Sequence, residues 1–201
     1  MVTAAAKEMN GFSINGLSLD ESLNVMKYLV KCALADWQTM TINVDGIDYS
    51  WPGRLGLAQE WADGPLTDQA SQAWVSSCLM ALANADGRSQ SVSLRADPVP
   101  YDSDEAARYS VAEGVFVGNF FSDRPGAYAC PLYAASNQDY LNGIGRRCSM
   151  PGSATPLLTE CKFGSWQNCQ PFCEYVDAIN IGAGGYFRCS NASITVYDQN
   201  P

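Results

Sequence analysis

The sequence contains no histidine, few positive charges and no long hydrophobic run, and each of these absences excludes a class of function. Without histidine there is no Ser-His-Asp or Cys-His nucleophile, and no metal site that requires imidazole. Lys and Arg number 12 against 21 Asp and Glu, and the resulting net charge of −9 argues against nucleic-acid binding. No apolar run approaches the roughly 18 residues of a membrane span. The 201 residues suffice for one domain with a sizeable core.

Eight cysteines are the most informative residues that are present. Six of them lie from Cys130 onward, in a part of the chain whose other residues predict loops and short strands. The paired CxxC knuckles of a zinc site are missing. An even count in such a segment predicts a disulfide framework and an oxidising compartment, and therefore a secreted or cell-surface protein. The eight are Cys32, Cys78, Cys130, Cys148, Cys161, Cys169, Cys173 and Cys189.

The N-terminal residues repeat one pentad, Asn-Gly-Phe-Ser-Ile followed by Asn-Gly-Leu-Ser-Leu over 10–19. Two copies are too few for a solenoid, so residues 1–19 are either the end of a pentad-repeat segment or a turn-rich lead-in. They hold no apolar signal core, which predicts a mature form with an added start methionine. Residues 20–201 are expected to form a single disulfide-stabilised domain, with a helix and hairpin core over 20–121 and a cysteine-rich part over 122–201.

Two helices are predicted, each with one cysteine on or near its apolar face. The first begins at a capping box of Ser18 and Glu21 and ends with Cys32 in its last turn. The second is expected to be capped by Thr67 and to bury Cys78. We therefore expect a Cys32–Cys78 disulfide between the helices, and the pairing of the other six cysteines is left open.

Alternating apolar residues predict a β-hairpin over residues 40–51, with Asp45-Gly46 as a type I′ turn. Asp102 and Glu105 would open a short helix that reaches about Ala112. Further strands are predicted at Ser89–Arg95, Gly114–Phe121, Tyr186–Arg188 and Ile194–Tyr197. The expected fold class is α+β: two main disulfide-linked helices packed on a small, mostly antiparallel sheet, with a cysteine-rich, loop-heavy C-terminal part.

Several segments together resemble an uncharacterised family of secreted, cysteine-rich proteins of myxobacteria and related predatory or soil bacteria. The resemblance covers most of residues 10–121, and a cysteine-rich C-terminal part completes it. It implies secretion and paired cysteines, but it supplies no mechanism, because no activity or catalytic residue is assigned to the family. The segments that carry it are the pentads of 10–19, residues 28–34, 53–58 and 74–78, Asn84 and Gly87, and Glu113-Gly114 leading to Gly118-Asn119.

Without histidine, an enzyme of this sequence would work through carboxylates. Glycoside cleavage needs two carboxylates that flank the bond, about 5 Å or about 6.5–9.5 Å apart. The candidate general acid is Glu113, because the apolar strand that follows it would raise its pKa. The second carboxylate would be Glu60 or Asp63, in a loop that contains a tryptophan. The simpler interpretation, which we favour, is that Glu113 ends a helix or accepts a backbone hydrogen bond while the other two are solvated.

No cofactor is expected. Calcium would suit an acidic, histidine-free extracellular protein, but neither polar stretch has the spacing of an EF-hand loop. The two stretches are Asp97, Asp102, Asp104 and Glu105, and then Asn137, Asp139 and Asn142. A sugar-stacking platform is a further possibility, formed by Trp51 and Trp61, which flank the loop after the hairpin, together with Tyr49. Core packing is the commoner fate of tryptophan.

These features favour a secreted or cell-surface binding or structural domain, whose partner is an extracellular glycan, cell wall or protein surface. One alternative is a small polysaccharide or cell-wall hydrolase that uses Glu113 with Glu60 or Asp63. A second alternative is a self-assembling filament or surface subunit, with the Gly114–Phe121 strand as the contact. Neither nucleic acid nor a membrane span is expected.

Overall fold

A computed structural model describes residues 19–82, 91–122, 126–131, 161–163, 173–176, 185–189 and 192–199, and these form an α+β fold. The helices are α1 (Leu19–Ala33), α2 (Gln69–Leu82) and α3 (Ser103–Arg108), with a 3₁₀ turn at Gln59–Ala62. The strands are β1 (Thr39–Val44), β2 (Ile47–Pro52), β3 (Ser93–Arg95), β4 (Val111–Asn119), β5 (Gly126–Pro131), β6 (Cys161–Phe163), β7 (Cys173–Val176), β8 (Tyr186–Cys189) and β9 (Ser193–Asp198). No helix within these residues is long and apolar enough to cross a membrane.

The two long helices α1 and α2 pack against each other and are joined by the Cys32–Cys78 disulfide, whose Cα atoms are 5.9 Å apart. Both cysteines are fully buried, as expected for residues on the apolar faces of two helices in contact. The predicted pairing is confirmed. The predicted cap of the first helix, Ser18, lies outside the described residues.

The N-terminus of α2 is capped by Asp68, so the prediction of Thr67 as the cap is wrong by one residue. The Asp68 carboxylate accepts a hydrogen bond from the Ser71 N–H at 2.7 Å. That backbone hydrogen bond, together with one from the Ser71 side chain, lowers the pKa of Asp68. A carboxylate also interacts favourably with the positive end of the helix dipole, which favours Asp68 over the neighbouring threonine.

The main sheet has the strand order β3-β9-β4-β5-β6 and is antiparallel except for the β5–β6 pair. Helix α2 covers one face, where Phe116, Ile194 and Val196 join the core formed with both long helices. Strand β4 lies in the middle and pairs with a neighbour on each side. Its backbone edges are therefore occupied, so this strand offers no free edge for pairing with a second copy; self-assembly through Gly114–Phe121 stays a prediction.

Where β4 and β9 separate, two serine hydroxyls of α2 accept hydrogen bonds from backbone N–H groups that no longer have a partner in β9. The N–H of Gly118 donates to Ser77 Oγ at 3.2 Å, and the N–H of Phe120 donates to Ser76 Oγ at 3.0 Å. The Ser77 hydroxyl in turn donates to the carbonyl of Ala192 at 2.9 Å. The backbone groups that lose their ladder partners are thereby satisfied, as partly buried amides require.

The β7–β8 hairpin packs against β9, with which β8 is in contact. Its strands are joined by the Cys173–Cys189 disulfide, and side chains of β9 bond to the backbone of β8. Thr195 Oγ1 accepts from the Phe187 N–H at 2.8 Å, and Ser193 Oγ accepts from the Cys189 N–H at 3.0 Å. The strands predicted at Tyr186–Arg188 and Ile194–Tyr197 are confirmed as β8 and β9. Of the remaining cysteines, Cys148 and Cys169 lie outside the described residues.

An exposed ionic cluster ties the β7–β8 hairpin to the turn after β3. Arg188 donates to both carboxylate oxygens of Asp97, at 2.8 and 2.6 Å, and to Glu174 at 3.3 Å. The Tyr186 hydroxyl also donates to Asp97. The hydrogen bonds from Arg188 hold the pKa of Asp97 below its ordinary value of 3.8, and that from Tyr186 adds to the effect.

This cluster predicts an acid-sensitive contribution to stability. Since the folded-state pKa of Asp97 is depressed, its stabilising effect is full above the ordinary carboxyl pKa of 3.8 and is lost as the pH falls through the lower, folded-state value. We expect the difference in unfolding free energy between the native protein and Asp97→Asn to be constant from pH 7 to pH 5 and to shrink below about pH 4. Urea titrations at each pH measure it.

The control uses the partner cation. In an Arg188→Gln background, Asp97→Asn should have little further effect, because the carboxylate has lost its main donor. An undiminished pH-dependent difference in that background would contradict the assignment.

Candidate functional site

The β1–β2 hairpin forms a separate two-stranded sheet and carries Ile47, one of the two exposed large hydrophobic residues of the described part of the chain. Its turn has positive φ at Asp45 (53°) and Gly46 (85°), which confirms the predicted type I′ turn. The Asn43 side chain accepts from the Gly46 N–H at 3.1 Å and reinforces the turn. The strand register is consequently fixed, and with it the two faces of the hairpin.

One face of the hairpin is apolar and passes from the core into solvent. Its cross-strand pairs are Met40 with Trp51, Ile42 with Tyr49, and Val44 with Ile47. Met40 is buried, and Ile42 and Trp51 are half-buried against the main core. Ile47 at the far end is 57% exposed. The core therefore uses the base of this face, and the outer part remains accessible.

Two aromatic rings of this face stack on each other where the hairpin leaves the core. Tyr49 and Trp51 are two residues apart on β2 and therefore point to the same face. Their ring centroids are 6.2 Å apart and their planes differ by only 13°. Both side chains are half-buried, so each ring keeps part of its surface in water. The exposed part of such a ring pair can pack against a flat apolar surface.

The opposite face of the hairpin is polar and internally hydrogen-bonded. Thr41 and Ser50 share a hydrogen bond of 2.7 Å, and Asn43 donates to Asp48 at 2.6 Å. These pairs stabilise the hairpin without using the aromatic face. Variants on this face therefore provide controls that leave the aromatic rings in place.

An exposed tryptophan lies just before the hairpin and was not singled out by the sequence pattern. Trp37 is 76% exposed and precedes β1 by two residues. It follows a helix with an apolar face, which gives no signal that its ring should point into solvent. Together with Ile47 it is one of the exposed large hydrophobic residues of the described chain.

Trp61 does not belong to this surface, and the expectation that its ring is available to a ligand is wrong. It lies in the 3₁₀ turn and is 1% exposed within the main core. The turn is closed by a hydrogen bond of 3.0 Å from the Trp61 N–H to the Ala58 carbonyl, and Ala58 is itself buried. This backbone course directs the indole inward.

The three candidate catalytic carboxylates occupy different environments. Glu113 is fully buried on β4, at a β-bulge between Ala112 and Gly114. It lies within a strand, so the interpretation that it ends a helix is wrong; α3 already ends at Arg108.

Glu60 and Asp63, in contrast, are both exposed at the 3₁₀ turn. A polysaccharide in water can reach these two carboxylates but cannot reach Glu113 while the sheet stays closed. The geometry therefore gives no support to a hydrolytic pair that includes Glu113.

The buried Arg95 is a polar residue that sequence reasoning missed. It lies on β3 with its guanidinium 3.7 Å from the ring centroid of Tyr197 and 4.8 Å from that of Tyr101. It donates to Ser93 Oγ at 3.1 Å and to the backbone carbonyl of Tyr109, just after α3. Cation–π contacts and carbonyl acceptors explain how a cation is tolerated there. Its role is to hold α3 against the sheet.

The acidic stretch considered for calcium is partly engaged in the fold. Asp97 binds Arg188 and Tyr186, as described above. Asp102 caps α3 by accepting from the Glu105 N–H at 2.7 Å, which confirms the predicted start of that helix. In the described part of the chain no group of three potential metal ligands occurs. The second stretch, Asn137–Asn142, lies outside the described residues.

No protein-family model, no curated protein and no solved structure matches this chain. The features that bear on function are those of the chain itself, a disulfide-linked α+β domain from which an apolar, aromatic hairpin face extends into solvent.

Proposed function

We propose that this protein is a secreted or cell-surface binding domain that holds extracellular or cell-wall polysaccharide against the aromatic face of its β1–β2 hairpin. The observation that carries the proposal is the parallel ring pair of Tyr49 and Trp51, which lies where the hairpin leaves the core. The apolar C–H face of a pyranose ring is flat and packs against such rings, while its hydroxyl groups remain in water.

The cysteines support an extracellular location. Cys32–Cys78 and Cys173–Cys189 are both disulfides, and disulfides persist in oxidising environments. The resemblance of residues 10–121 to secreted, cysteine-rich proteins of myxobacteria and related bacteria supports the same location. A bacterial exterior is rich in polysaccharide, which agrees with the proposed ligand class.

Binding without turnover is the better-supported activity of the two considered for polysaccharide. Hydrolysis through the carboxylates singled out above needs Glu113 at the substrate, and Glu113 is fully buried. The aromatic face, in contrast, is accessible without any rearrangement.

A substitution series at Tyr49 tests the proposal. Tyr49→Phe keeps the ring and should bind insoluble polysaccharide about as well as the native protein. Tyr49→Ile keeps an apolar, strand-favouring side chain but removes the ring, and should bind at least about tenfold more weakly. Depletion of the protein from the supernatant over a range of polysaccharide concentrations measures both affinities.

Thr41→Val is the matched control, because it changes the opposite face of the same hairpin and preserves the branched side-chain shape. Its affinity should equal that of the native protein. If Tyr49→Ile binds as well as Tyr49→Phe, the aromatic ring does not hold the polysaccharide, and the proposed binding face is wrong. Circular dichroism of each variant confirms that the fold is retained.

A further inference from the structure

Three positive charges lie together beside the base of the hairpin, at the C-terminal end of α1. Lys27 and Lys31 are one helical turn apart on α1 and so lie on the same side of the helix. Arg54 follows β2, and its N–H donates to the Leu34 carbonyl at 2.7 Å. The next residue, Leu55, donates to the carbonyl of Lys31 at 3.0 Å. These backbone bonds hold Arg54 against the last turn of α1.

These three cations, which we call the basic cluster, are not neutralised within the described part of the chain. None of them forms an ion pair with a carboxylate there, although the protein as a whole has a net charge of −9. Burial lowers the pKa of Lys31, and the charges of Lys27 and Arg54 lower it further. Lys27 and Arg54 are exposed, so their charges are available to a ligand.

The helix dipole explains only part of this arrangement. Cations near the C-terminus of a helix interact favourably with its last carbonyls, which accounts for Lys31 and Arg54. The effect falls off within the last turn, and Lys27 lies one further turn back. A third positive charge placed close enough to lower the pKa of Lys31 is therefore unfavourable for the free protein. An anionic ligand would remove that repulsion.

The cluster lies close to the aromatic face along the chain. Arg54 follows Trp51 by three residues, so their Cα atoms are at most about 11 Å apart. The only charged residues of the hairpin, Asp45 and Asp48, lie at or near its turn, toward the opposite end. A polymer that stacks on Tyr49 and Trp51 and continues past the base therefore moves away from these two carboxylates and toward Arg54.

We propose that the basic cluster binds carboxylates of the polysaccharide that stacks on the hairpin, and that the preferred ligand is a polymer of uronic acids. This inference rests on the proposed function. The Arg54 guanidinium can accept a carboxylate through two parallel N–H donors, and the two lysines supply point charges to the carboxylates of neighbouring sugars.

The experiment compares two soluble polymers with the same backbone, polygalacturonate and its fully methyl-esterified form, at one ionic strength. The native protein should bind polygalacturonate about tenfold more tightly, since three ion pairs near the surface each contribute a small amount. The triple variant Lys27→Gln, Lys31→Gln, Arg54→Gln should bind both forms equally, at the affinity of the native protein for the ester. Isothermal titration calorimetry measures each affinity.

Arg108→Gln is the control for a change in net charge, because Arg108 is an exposed cation on α3. It should keep the full preference for polygalacturonate, whereas the single variant Lys27→Gln should reduce the preference about twofold. The inference is overturned if the triple variant keeps the preference, if Arg108→Gln loses as much as Lys27→Gln, or if the native protein binds neither polymer.

Failure of the proposed function gives a different pattern. In that case Tyr49→Ile would bind the methyl ester as well as the native protein does. A preference that disappears in the triple variant while Tyr49→Ile has no effect would establish the anion site and reject the aromatic platform.

Discussion

Replacing both Cys32 and Cys78 with alanine will lower the free energy of unfolding by about 4 kcal/mol. The disulfide closes a loop with a sequence separation of 46 residues, and releasing such a loop increases the entropy of the unfolded chain by about that amount in free energy. Both sulfur atoms are also buried between α1 and α2, so the alanines leave less packing at the helix contact. Urea unfolding, monitored by tryptophan fluorescence, measures the change.

The matched comparison is the double variant Cys173→Ala, Cys189→Ala, whose loop has a separation of only 16 residues. Its expected cost is about 3 kcal/mol on the same entropic basis. A loss below about 1 kcal/mol in the Cys32 and Cys78 variant would show that helix packing alone holds α1 and α2 together.

Gly53→Ala has the second large expected effect, a loss of about 3 kcal/mol or a failure to fold. A Cβ atom at Gly53 would lie 2.3 Å from the Ala35 carbonyl oxygen and 2.5 Å from the Leu34 carbonyl carbon. These are backbone atoms of buried residues, so they cannot move aside as a flexible side chain does. The Gly53 N–H also donates to the Gln38 carbonyl at 2.8 Å, which fixes the close approach. Thermal and urea unfolding measure the loss.

Gly64→Ala is the control for this prediction. A Cβ atom at Gly64 meets nothing within 4 Å, and its backbone does not require a left-handed conformation. The unfolding free energy should change by no more than about 0.5 kcal/mol. Equal effects at the two positions would contradict the close approach of the hairpin base to the end of α1.

Local patterns in the sequence predicted the elements whose signals are themselves local. The Asp45-Gly46 turn follows from the need for positive φ at both residues, and the helix pair follows from the spacing of apolar residues around Cys32 and Cys78. Asp102 as the cap of α3 depends on one side chain and one nearby backbone N–H. In each case the residues that determine the structure are near one another in the chain.

Long-range packing determines the features that the sequence did not predict correctly. The burial of Trp61 depends on the course of the 3₁₀ turn against the core, and nothing in the local sequence sets that course. The central position of β4 arises because β9, far along the chain, pairs with it. The same applies to Arg95, whose stacking partner Tyr197 is supplied by β9. A single sequence contains no local signal for such pairings.

The candidate site was predicted in part for the same reason. Tyr49 and Trp51 share a face because residues two apart on a strand always do, so their proximity follows from the hairpin alone. Their exposure depends on how far the core extends along the hairpin, which is a property of the whole fold. The basic cluster combines a helix and a post-strand segment, and only their packing brings Arg54 to the two lysines.

Incubation of the native protein with insoluble polysaccharides and peptidoglycan, followed by assay of the supernatant for both protein and new reducing ends, tests the proposed binding function. We expect depletion of the protein with no new reducing ends. New reducing ends that appear with the native protein and disappear in Glu113→Gln would show a carboxylate-dependent hydrolase. The absence of depletion on every polysaccharide would contradict the proposed binding function.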